Sequence, residues 1–114
     1  MPRKRAPFYP YEGRKIKDKH IRVTEDMMLH SNYLKLSASA KVVYSYMKLW
    51  ACGDIEFDYP ISLALKYTSK NTFLRAKEEL IENGFIEVVY ISKLGNISNR
   101  YKFSTNWYKK NTSF

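Results

Sequence analysis

Four residues near position 70 have the types and spacing to read a base edge. They are Lys70, Asn71, Thr72 and Arg75, in the stretch S-K-N-T-F-L-R-A-K-E-E-L-I-E-N-G from Ser69 to Gly84. Asn pairs bidentately with adenine, and Arg or Lys with guanine, in the major groove of DNA. The stretch predicts a helix with both ends marked. Ser69 suits the N-cap, where its hydroxyl takes a free backbone N–H. Gly84 suits the position just past the end, where the backbone often turns left-handed. Phe73, Ala76 and Leu80 fall at i, i+3 and i+7 and so share a core-facing side. Lys70, Asn71, Leu74 and Arg75 lie largely off that side, and with Thr72 they form the candidate DNA-contacting set. An ordinary amphipathic helix with a solvated polar face would use the same residues, so the rest of the chain has to decide.

The whole chain is 114 residues long, which predicts one domain. It carries 20 Lys+Arg against 11 Asp+Glu, a formal charge of +9. That excess favours a polyanionic partner, either nucleic acid or an acidic membrane surface. Cys52 is the single cysteine, so neither an intrachain disulfide nor a cysteine-based zinc site can form. No apolar run of about 18 residues is present, so no membrane-spanning helix is expected. The basic N-terminus lacks an apolar segment behind it and does not read as a secretory signal. The expected compartment is the cytoplasm.

Residues 1–19 form a basic segment with Arg3, Lys4 and Arg5 at its start and three prolines that break helices. A mobile arm is expected there. Such an arm can track phosphates or enter a minor groove, or serve only as a solvated tail. Residues 20–114 form the expected folded domain. Within it, His20–Val23 reads as extended. Thr24 caps a brief helix to about His30, and Met27, Leu29, Tyr33, Leu34 and Leu36 help cover the core. Ser37 to about Ala51 is the first long helix, with Ala40, Val43, Tyr44, Met47 and Trp50 as its buried stripe.

Ile55–Asp58 alternates apolar and polar residues and reads as a short strand. Pro60 opens a helix over Ile61–Tyr67. A tight connection at Thr68–Ser69 then leads into the 69–83 helix, which is a helix-turn-helix pattern. Phe85–Ile91 reads as a strand, Gly95-Asn96 as a turn and Asn99–Phe103 as the returning strand. Ile55–Asp58 can add a third strand to this hairpin. From Val88 onward the chain contains no acid, whereas it carries Lys93, Arg100, Lys102, Lys109 and Lys110. An acid-free hairpin can lie along phosphates without repulsion. Trp107 and Tyr108 are expected to pin the C-terminal tail.

The element order, with S-x-x-T-F-x-R-A-x-x-E-L-I-x-x-G-F-I from Ser69 to Ile86, resembles the winged helix-turn-helix proteins. The likeness is greatest to the small winged-helix proteins of Gram-positive plasmids, phages and conjugative elements, which include replication initiators and transcription regulators. Leu36–Tyr44, Phe57–Pro60 and Asn99–Ser104 fit the same group, so the resemblance covers roughly residues 20–108. It implies an α+β winged helix with three main helices, a small antiparallel three-stranded sheet and a hairpin wing. It also implies double-stranded DNA as partner. On its pattern Lys70, Asn71, Thr72 and Arg75 match the recognition positions, and Lys93, Asn96 and Arg100 match the wing.

No enzyme is expected. His20 and His30 do not have the spacing of a metal pair, and neither a phosphate-binding loop nor a nucleophile elbow occurs. No cofactor, metal or small-molecule substrate is implied. The alternative is a protein-interaction module on the same scaffold, since fold alone does not fix function. RNA binding ranks last, because the paired aromatics of an RNA-recognition sheet are missing. A homodimer is compatible with the sequence, though it contains no long apolar seam.

Overall fold

A computed structural model of the chain describes residues 21–91 and 99–110. Six helices and three strands are present among them. In chain order they are α1 (Glu25–Leu29), α2 (Ser31–Leu34), α3 (Ala38–Ala51), β1 (Glu56–Tyr59), α4 (Ile61–Ala64), α5 (Lys70–Glu82), β2 (Ile86–Tyr90), β3 (Asn99–Phe103) and α6 (Asn106–Lys110). The fold is α+β, with one antiparallel sheet in the order β1-β3-β2. The basic segment expected over residues 1–19 lies outside the described residues. No described helix is long and apolar enough to cross a membrane.

The single brief helix expected from Thr24 to His30 ends one residue early and is followed at once by a second. Thr24 caps α1 as expected, accepting from the Met27 N–H. His30 is extended, and its Nδ1 accepts from the Asn32 N–H, which makes it the N-cap of α2. A cap residue must leave helical geometry, so the helix breaks there. Each piece is about one turn long and buries one narrow side. Met27, Tyr33 and Leu36 are buried, but Leu29 and Leu34 are exposed, contrary to expectation.

Helix α3 buries Ala40, Val43, Tyr44, Met47 and Ala51. Trp50 leaves the expected stripe and is 52% exposed. At 3.6 residues per turn it sits roughly 80° round from the stripe's centre. Its Nε1–H donates instead to the Asp58 carbonyl at 2.7 Å. The α3 N-terminus is held from another helix. Ser37 Oγ accepts from the Ala40 N–H, while Glu79 of α5 accepts from both the Ser37 N–H (2.8 Å) and the Ser37 hydroxyl (2.7 Å). Ser37→Ala removes the cap and the hydroxyl bond to Glu79 together, while the backbone N–H of residue 37 can still donate to Glu79. We expect it to cost about 1–2 kcal/mol in urea denaturation. The cost of Glu79→Ala should overlap with it rather than add in a double-mutant cycle.

β1 starts and ends one residue later than expected. Phe57 and Tyr59 point inward, and Ile55 is exposed. Pairing runs Phe57 to Tyr101 on one edge of β3 and Val88 to Tyr101 on the other. The helix expected over 61–67 is α4 alone. Lys66 and Tyr67 donate to the carbonyls three residues back, a tighter turn that ends the helix at Ala64. Leu80, Phe85, Ile86, Phe73 and Tyr101 form the centre of the core. Trp107 closes it from α6, stacked on Phe85 at 5.7 Å. Tyr108 is largely exposed, and its share in pinning the tail is one tilted ring contact with His30 at 6.0 Å.

Candidate nucleic-acid interface

Helix α5 has a rigid start. Ser69 Oγ accepts from the Thr72 N–H at 3.1 Å and donates to Thr72 Oγ1 at 2.9 Å. Phe73, Ala76 and Leu80 are buried, as their spacing requires. That anchoring turns Lys70, Asn71 and Arg75 outward, and all three are exposed. Thr72 is half-buried beside its cap. Leu74 is half-buried and packs against the core, so the outward-facing candidates are Lys70, Asn71 and Arg75. Residues 70–77 contain no acid, while Glu78, Glu79 and Glu82 follow in the second half. The positive end of the helix dipole therefore coincides with its cationic side chains. The end of α5 nearest α4 is thus chemically distinct from the end that leads into β2.

The hairpin is less basic in space than along the chain. β3 is the middle strand, and its neighbours supply the acids that its own segment lacks. Arg100 Nε lies 2.9 Å from Glu56 Oε1, and its Nη1 lies 3.1 Å from Asp58 Oδ1. Hydrogen bonds to Glu56 and then Asp58 push the guanidinium pKa up from its ordinary value. Lys102 Nζ lies 3.7 Å from Glu87. These pairs follow from the register, which sets Arg100 opposite Asp58 and Lys102 opposite both Glu56 and Glu87. Arg100 is thus engaged within the sheet and is not a free cation of the hairpin. Charge segregation along the chain does not reveal this; the strand order does.

Lys93 and Asn96, the hairpin-tip candidates, lie outside the described residues, as do Arg3, Lys4 and Arg5. Among the described residues no group of three His, Cys, Asp or Glu side chains could hold a metal ion. Cys52 is exposed at the left-handed end of α3. Two further acids have roles that sequence reasoning missed. Glu79 holds Ser37, and Asn106 Nδ2 donates to Glu87 at 3.3 Å. Both contacts join residues far apart in the chain, so no local signal announces them.

Comparison with protein-family models, with curated proteins and with solved structures gave no match.

Proposed function

We propose that the protein is a winged helix-turn-helix DNA-binding protein, a transcription regulator or replication accessory of a mobile element. In this reading α4 and α5 are the helix-turn-helix, β2 and β3 the wing, and the first two turns of α5 enter the major groove of double-stranded DNA. The observation that carries it is the exposed set Lys70, Asn71 and Arg75 on the acid-free half of a rigidly capped helix. Recognition helices of this class read bases with their N-terminal residues. The role in a mobile element rests on the sequence resemblance alone. Lys93 and Asn96 would add phosphate contacts from the wing, and Arg3, Lys4 and Arg5 from the arm.

Selection from random duplex DNA at two salt concentrations tests the reading. One enriched motif is the expected result, and a palindromic motif would add a homodimer. With about 5 to 8 phosphates neutralised, log K falls against log salt with a slope of roughly −5 to −7. No retention at low salt would overturn the proposal and favour a protein-interaction module.

Two arginine variants separate the surfaces. Arg75→Ala is expected to cost about 1–3 kcal/mol on the selected site and to relax specificity at one position. Arg100→Ala, which loses a cation already paired with Glu56 and Asp58, should leave both the motif and the salt slope unchanged. The reverse result, measured by titration at several salt concentrations, would move the interface from α5 to the sheet.

A further inference from the structure

α3, the end of β1 and the α4–α5 connection border a cleft of about 500 Å³ that Lys70, Asn71 and Arg75 do not line. That size lies in the range of small-molecule sites. Its walls are aromatic. Tyr46 and Tyr67 stack with ring centroids 4.0 Å apart and planes 12° from parallel. Trp50, one turn along α3 from Tyr46, adds a ring whose orientation is set by the hydrogen bond from its Nε1–H to the Asp58 carbonyl. Leu63 supplies an aliphatic side. These surfaces are assembled in advance, so little ordering remains for a ligand to impose.

The polar groups are few and of one kind. Lys66 is the only charged side chain lining the cleft, and no acid lines it among the described residues. The Tyr59 and Tyr67 hydroxyls share a hydrogen bond of 2.8 Å. One of their two protons joins the pair, and the other remains to be donated. Phenols are protonated donors at neutral pH, and burial raises the pKa of both further. Flat rings, one ammonium and one spare hydroxyl proton complement a flat ligand that carries an anionic acceptor. A cationic ligand, which aromatic walls alone would also suit, would meet Lys66 without a compensating acid.

We propose that this cleft binds a small planar aromatic carboxylate, packed against the outside of the Tyr46–Tyr67 pair and against Trp50 with its carboxylate toward Lys66. The ligand would tie α3 to the turn that precedes α5. The site stands independently of whether α5 binds DNA.

The chain has two tryptophans, Trp50 and Trp107. Only Trp50 lines the cleft, so the two indole N–H signals of the ¹⁵N-labelled protein provide a probe and its internal control. Indole-3-acetate, indole and tryptamine would be titrated as anionic, neutral and cationic probes. The Trp50 signal is expected to shift saturably while that of Trp107 stays put. Indole-3-acetate should bind about two- to fivefold more tightly than indole, and tryptamine more weakly than either. Lys66→Gln should erase the preference for the acid. Tyr46→Ala, at an exposed position, should weaken all three by about two- to tenfold. Tryptamine binding as tightly as the acid would overturn the proposal. So would equal shifts at both indoles, no saturable shift at millimolar indole-3-acetate, or unchanged affinity in Tyr46→Ala.

Discussion

Gly84→Ala is expected to destabilise the fold by about 3 kcal/mol or more, from two separate causes. Gly84 adopts φ +83°, a region that L-residues enter at a cost. It ends α5 with a paired set of reverse-turn bonds, Phe85 N–H to the Leu80 carbonyl and Gly84 N–H to the Ile81 carbonyl. A Cβ there would also stand 2.5 Å from the Trp107 nitrogen and 2.7 Å from the Asn106 carbonyl carbon. Those are backbone atoms and cannot swing aside, because the Trp107 N–H itself donates to the Gly84 carbonyl. Gly53→Ala separates the causes. Gly53 has φ +93° and nothing within 4 Å of an added Cβ, so it carries the backbone cost alone, about 1–2 kcal/mol. Urea denaturation of both variants checks this, and equal losses would remove the close approach of α6 from the account.

Phe85→Ala should have the largest effect of any single truncation, about 3–5 kcal/mol. Phe85 is fully buried and meets Tyr33 at 6.0 Å, Tyr44 at 5.6 Å and Trp107 at 5.7 Å. These rings come from α2, α3 and α6, so the vacated volume borders three elements. Relaxation into it would require all three to move. A domain of this size has only about 5–15 kcal/mol in total, and each kcal/mol corresponds to roughly 4–8 °C in Tm. A fall of at least about 12 °C is therefore expected, with Trp107 emission shifted to the red as it loses its stacking partner. A loss below about 1 kcal/mol would mean that the three elements hold together without the ring at their junction.

What the sequence made legible is what local chemistry determines. Ser69 and Gly84 delimit α5 because a cap hydroxyl and a left-handed stop act on their own backbone. Phe73, Ala76 and Leu80 reveal its buried side through period alone. The α+β composition and the three-stranded sheet follow from similar signals. Trp50 was misread because a large apolar residue near the stripe resembles a member of it, whereas its angular position assigns it to the surface. His30 was missed as a cap because its ring nitrogen replaces the usual oxygen. The engagement of Arg100, the grip of Glu79 on Ser37 and the meeting of Tyr46 with Tyr67 are non-local. Each depends on which strand lies in the middle or how two helices cross, and no window of sequence contains that information. The exposed trio on α5 was legible because it needs only one helix; the cleft was not, because it needs three elements.

The strand order also bears on how the chain is made. β3 is synthesised after β1 and β2 yet must lie between them, so on the ribosome both flanking strands wait without a partner. About forty residues separate the end of β1 from the start of β3, which at ~5–20 residues per second is a delay of a few seconds. Direct pairing of the two waiting strands would bring Glu56 and Asp58 of β1 against the strand that carries Glu87, and like charges set across a ladder repel. The late strand brings Arg100 and Lys102, which match all three acids. Charge thus favours the order β1-β3-β2 over direct pairing of β1 with β2, by about 0.2–1 kcal/mol per cross-strand pair.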